Sequence, residues 1–98
     1  MSYFVYVLYS VSTDTYYKGQ TNDLKSRISR HNRGYENYTS KGRPWSLVWY
    51  TSKETRSDAR KLERKLKNLS VERLKMFIRK YPIEEFDIGL DVFDPWGQ

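Results

Sequence analysis

Residues 3–32 read YFVYVLYS, VSTDT, YYKGQTN, DLKSRISRHN, and this stretch decides the fold. Its first run, Tyr3 to Tyr9, is rich in β-branched and aromatic residues and too short for a buried helix. It predicts a central strand. Ser12, Thr13 and Asp14 form a turn, and Tyr16 to Gln20 returns as the second strand of a hairpin. Gly19 lets the backbone leave that strand without a Cβ clash. Asn22 is the predicted N-cap of a helix running from Asp23 to about Arg33, with Asp23 complementing its positive end. Leu24 and Ile28 supply the inward stripe, and Gly34 stops the helix.

Downstream, residues 34–45 (GYENYTSKGRPW) predict a loop, in which Tyr35, Tyr38 and Trp45 are interleaved with Lys41 and Arg43. Ser46 to Thr51 predicts a third strand. Ser57 is the expected cap of a second helix, Asp58 to Leu69, with Ala59, Leu62, Leu66 and Leu69 as its apolar stripe. Ser70 caps a third helix, Val71 to Tyr81, which buries Leu74, Phe77 and Ile78 until Pro82 ends it. The expected fold class is α+β: a small three-stranded, largely antiparallel sheet flanked by helices, in the order β-β-α-β-α-α. Residues 1–82 form one domain, and residues 83–98 an acidic C-terminal tail.

Composition bounds the function. Hydrophobic residues make up 38% of the chain, enough for a small core and too many for a disordered tail protein. The first apolar run has no basic flank or cleavage site, so it is not read as a signal peptide. It is also far shorter than the ~20 residues of a spanning helix. The absence of cysteine excludes disulfides and thiolate metal sites and fits a cytoplasmic protein. All 18 lysines and arginines, but only seven of the 12 acids, precede residue 83, a local charge of +11. A polyanionic partner follows, with nucleic acid favoured over a merely solvated basic face.

Arg27 and His31 are four apart, so they stack on one helix face, three positions beyond Leu24 and Ile28 respectively. Both are expected at the margin of the buried stripe, leaning toward a cleft. The ordinary alternative is a solvated basic surface. His31 is the only histidine, which excludes a site needing several imidazoles. Tyr6 and Tyr17 lie on adjacent strands and share a face if the register follows the turn; packing alone would also explain them. Glu63 flanks the second helix's apolar stripe among Arg60, Lys61, Arg64, Lys65 and Lys67. It is either the partner of Lys67 in an i,i+4 ion pair worth ~0.3–0.5 kcal/mol, or a lone oxygen ligand for Mg²⁺ or Mn²⁺.

Together these residues resemble the GIY-YIG nucleases, most closely the small single-domain proteins related to the nuclease module of the bacterial excision-repair incision subunit. The first motif stands as Phe4-Val5-Tyr6 and the second as Tyr17-Lys18-Gly19, followed by Arg27, His31 and Glu63, over roughly residues 3–81. Phe4 replaces the motif's glycine and Lys18 its isoleucine, and neither position supplies a reacting group. The asparagine that many family nucleases carry after the glutamate helix has no counterpart, Asn68 being too close to Glu63.

The resemblance implies phosphodiester hydrolysis with one Mg²⁺ or Mn²⁺ ion held by Glu63. It implies a cationic fork from Arg27 and a water oriented and deprotonated by Tyr6, Tyr17 or both. His31 would take the proton onward or position a tyrosine. Gly19 would admit a phosphate, while Lys18, Tyr38, Lys41 and Arg43 would add contacts to nucleic acid. No zinc finger or helix-turn-helix pattern is present, so DNA structure or a targeting protein would choose the site. The expected partner is DNA, with no membrane, and the chain a monomer or weak dimer; the alternative is a non-catalytic nucleic-acid-binding module on the same fold.

Overall fold

A computed structural model describes residues 2–35, 37–81, 83, 92 and 93. Strand β1 is Tyr3–Ser10 and β2 is Thr15–Thr21, followed by helix α1, Leu24–Arg33. A single 3₁₀ turn, Ser40–Gly42, precedes β3, Trp45–Lys53. Helices α2, Arg56–Lys67, and α3, Val71–Lys80, complete the domain. The order β-β-α-β-α-α is the expected one. The run that predicted a central strand is central: the sheet order is β2-β1-β3, with both pairings antiparallel.

Alternation along β1 sends Val5 and Val7 to one face and Tyr6 and Leu8 to the other. Val5 and Val7 pack with Val48 and Trp49 of β3, Ala59 and Leu66 of α2, and Leu74 and Ile78 of α3. Tyr6 and Leu8 pack with Leu24 of α1 and with Trp45, Leu47 and Tyr50. The sheet is therefore a middle layer, with α1 on one face and α2 and α3 on the other. A bulge adjusts β3: Val7 pairs with Trp49 but Leu8 with Leu47, which leaves Val48 as an extra residue. That is why two consecutive residues, Val48 and Trp49, serve the same core.

Local chemistry corrects several boundaries. Asp23, not Asn22, caps α1, because it is the Asp23 carboxylate that accepts the Ser26 N–H at 3.2 Å. Thr55, not Ser57, caps α2 by accepting the Asp58 N–H at 3.1 Å. The helix therefore begins at Arg56 and ends at Lys67 rather than Leu69, although Leu69 still packs against the core. Ser70 caps α3 as expected, accepting from Arg73 at 3.3 Å, and Gly34 closes α1 with φ 79°, a conformation glycine adopts without strain. β3 is longer at both ends than Ser46–Thr51. The stop at Pro82 lies outside the described residues, as does most of the acidic segment.

Candidate active site

The site gathers around Tyr6. Its register partner on β2 is Gly19, while Tyr17 stands opposite Leu8, so Tyr6 and Tyr17 share the α1 face with ring centroids 6.2 Å apart. A Cβ at Gly19 would lie 2.7 Å from the Tyr6 hydroxyl and 3.0 Å from the Tyr17 ring. Gly19 is thus the room that Tyr6 occupies. It does not end the strand, which continues to Thr21.

His31 differs from its expected place. It is 1% exposed, not at the margin of the stripe. Leu24, Ile28 and His31 form an i, i+4, i+7 series, and the histidine takes the innermost position of a core residue. Burial is tolerated because both ring nitrogens are engaged: Nε2 with the Tyr6 hydroxyl at 3.0 Å and Nδ1 with the Thr39 hydroxyl at 2.8 Å. The ring also packs on Tyr17, centroids 4.8 Å apart. Thr39 is itself fully buried, and its carbonyl accepts the Trp45 indole N–H at 2.7 Å. Asn32 clamps Trp45 from α1, accepting the Trp45 N–H at 2.6 Å and donating to the Trp45 carbonyl at 3.2 Å. The predicted loop is therefore a fastened support for the histidine. Thr39 and Asn32 were not among the expected site residues; Asn32, one residue past His31, had only its position as a signal, and Thr39 had none.

Around the outer edge of β2 the site becomes open and charged. Tyr16, Tyr17, Lys18, Tyr38 and Lys67 line a pocket of about 470 Å³. A second, of about 340 Å³, is lined by Gln20, Arg60, Glu63, Arg64 and Lys67. Lys67 is common to both, so the tyrosine pocket and the glutamate pocket adjoin. Glu63 is paired with Lys67 at 3.3 Å, the i,i+4 contact its spacing allows. Burial, and secondarily the charge of Lys67, hold the Lys18 ammonium below the usual lysine range.

The remaining candidates are placed unevenly. Arg27 is half-buried on α1, one turn before His31, and lines neither pocket. Lys41 is exposed. Arg43 turns back on its own loop: its Nε donates to the Ser40 carbonyl at 2.8 Å, and its guanidinium covers Gly34.

The GIY-YIG catalytic domain pattern matches residues 2–75. The chain belongs to the GIY-YIG family. A UPF0213 protein of Listeria innocua is 41% identical over 69 residues, 69% of this chain and 76% of that protein. One from Staphylococcus aureus is 39% identical over 67 residues, 67% of this chain and 80% of that one. The solution structure of a UPF0213 protein from Bacillus halodurans is similar with a TM-score of 0.54 at 27% identity, covering 82% of this chain and 85% of that chain.

Within this GIY-YIG domain, Phe4 packs edge-on against Tyr50, centroids 6.5 Å apart, so a side chain fills the place of the motif's first glycine. A hard cation at this pocket would meet one carboxylate among three cationic side chains, those of Arg60, Arg64 and Lys67. Glu63 offers one carboxylate, with the Gln20 amide lining the same pocket, and Mg²⁺ accepts such a site because it keeps most of its waters. Among the described residues no cluster of three or more acids, histidines or cysteines exists that could enclose a metal. No helix among them is long and apolar enough to cross a membrane.

Proposed function

We propose that this GIY-YIG protein is a DNA endonuclease that depends on one Mg²⁺ or Mn²⁺ ion and is directed by DNA structure or a partner rather than by sequence. The observation that carries the reading is the junction at the β2 edge, where a tyrosine-walled pocket and a glutamate pocket share Lys67. Hydrolysis needs a positioned, deprotonated water and a counter-charge for the transition state. Tyr17 borders open space, so it is the phenol of the pair to which an attacking water has access. Tyr6 is fully buried and acts as a positioning residue through His31. Both hydroxyls bonded to His31 can donate or accept, so the imidazole gains or loses a proton without losing either bond. Arg27 supplies a planar cation to the non-bridging oxygens. When bound at Glu63, a divalent ion supplies charge neutralisation at the scissile phosphate.

One observation favours the second reading, a DNA-binding module without turnover: the Glu63 carboxylate already has a cationic partner in Lys67. An i,i+4 helix pair of this kind, with its lysine largely in solvent, is worth only ~0.3–0.5 kcal/mol, which a divalent ion overcomes readily. The test is a panel of flapped, branched, bubbled and plain DNAs incubated with Mg²⁺ or Mn²⁺, using wild type and Glu63→Ala side by side. Metal-dependent cutting by the wild type alone is expected. Salt-sensitive binding without any cutting would select the binding module.

A further inference from the structure

Tyr38 is the most exposed of the large hydrophobic side chains described, at 88%, and it packs in no core. Its one described ring neighbour is Tyr17, 6.0 Å away, with which it walls the 470 Å³ pocket. Two tyrosine rings side by side at one concave site offer a stacking surface for a planar ligand. The same pocket carries Lys18 and Lys67, one from β2 and one from α2, so aromatic and cationic surfaces meet at one point.

We infer that this pocket binds a single unpaired nucleotide, its base against Tyr38 and Tyr17 and its phosphate between Lys18 and Lys67. The inference rests on DNA being the ligand in the reading above and names the feature of the DNA that is recognised. A paired base keeps its faces inside the stack and cannot reach a tyrosine; an extrahelical or single-stranded base can. At about 470 Å³ the pocket lies in the size range of small-ligand sites. The lysines agree with a bound phosphate: Lys18 from β2 and Lys67 from α2 line the same pocket, so one anion between them answers both charges. Lys18 takes the place of an apolar residue in the second motif, so this cation is a property of the chain itself.

The test is binding in EDTA, with no cleavage possible, to two DNAs with the same paired sequence: a perfect duplex, and that duplex with a single 2-aminopurine bulged from one strand. Tyr38→Ala should weaken binding to the bulged DNA by about 5- to 100-fold, the range of one lost stacked base, and should abolish the quenching of 2-aminopurine. Duplex binding should change less than twofold, and Tyr38→Phe should behave as wild type on both. Lys67→Met should weaken both DNAs and reduce the salt slope by about one. Equal losses on the two DNAs for Tyr38→Ala, or no loss on either, overturn the inference. Failure of the nuclease reading gives a different result, intact discrimination in EDTA with no cutting when Mg²⁺ is added.

Discussion

The two halves of the candidate site are built on different principles. On the α1 face, Tyr6, His31 and Thr39 are each no more than 1% exposed, and their hydrogen bonds run continuously into the core. On the α2 side, Glu63 and Lys67 meet at 3.3 Å with the lysine side chain 54% exposed, and at the β2 edge between the two sides Tyr38 stands in water. The first half holds a geometry that packing has already decided. The second can rearrange around a ligand for a few tenths of a kcal/mol. Substitutions inside should therefore move stability and activity together, and substitutions outside should move activity alone.

The largest expected effect tests the outer half. Glu63→Gln should reduce Mg²⁺-dependent cutting by at least ~10²-fold, the scale of losing a preorganised charge at the reacting centre. Thermal unfolding should shift by no more than about 2–3 °C, since only a weak ion pair is lost. A variant that retains more than about a tenth of the wild-type rate would remove Glu63 as a metal ligand.

Arg27 sharpens the contrast because it shares α1 with His31 yet should behave as an outer residue. Arg27→Ala should lower the cleavage rate by ~10²–10³ at nearly unchanged stability. Arg27→Lys should recover little, since an ammonium cannot reproduce a planar fork. A fully active lysine variant would reduce Arg27 to general positive charge.

For the inner half the readout is stability. Thr39→Val keeps the shape but leaves His31 Nδ1 buried without that partner, a cost of about 1–3 kcal/mol. At roughly 4–8 °C per kcal/mol, the melting temperature should drop by at least 4 °C. The combined change Tyr6→Phe, His31→Leu, Thr39→Val removes the network together and should recover much of that stability while cleavage stays lost. A triple variant less stable than Thr39→Val would mean that these three side chains are held by more than one another.

This division also explains what could be read from the sequence. The strands were legible because β1 is buried on both faces and its residues are correspondingly apolar and β-branched. The tyrosine pair was legible through register, since period-two alternation puts Tyr6 and Tyr17 on one face once the turn is located. Helix starts slipped because Asn22-Asp23 and Thr55-Arg56-Ser57 each offer competing caps, and only backbone geometry selects among them. Spacing alone, three positions beyond Ile28, puts His31 at the margin of the stripe, and what lets it go inside is Thr39, a loop hydroxyl with no pattern of its own. Lys67 was visible only as an ion-pair partner, because its place between two pockets depends on how α2 lies against β2.

The smallest expected effect concerns the sheet's other edge. β2 presents its outer edge to the tyrosine pocket, whereas on β3 the Leu47 carbonyl accepts the Phe93 N–H at 2.7 Å. The alternation of Phe86, Ile88, Leu90 and Val92 with Asp87 and Asp91 is the pattern of a segment able to join a sheet edge, and the Phe93 contact is what the described residues show of that segment at β3. β1 lies between the two edges, so a tail held at Leu47 acts on the β2 pockets mainly through its charge. Five acids opposite a domain of +11 should still weaken DNA binding when screening is low. We expect removal of residues 84–98, which keeps Ile83 in its core contacts, to tighten DNA binding about two- to fivefold at low salt, the range of a screened surface interaction. The gain should vanish above about 0.2 M salt, where the Debye length falls below ~8 Å. A gain that survives high salt would place the tail in the DNA site itself, and a truncated chain that no longer folds would assign it to the core of the β3 edge.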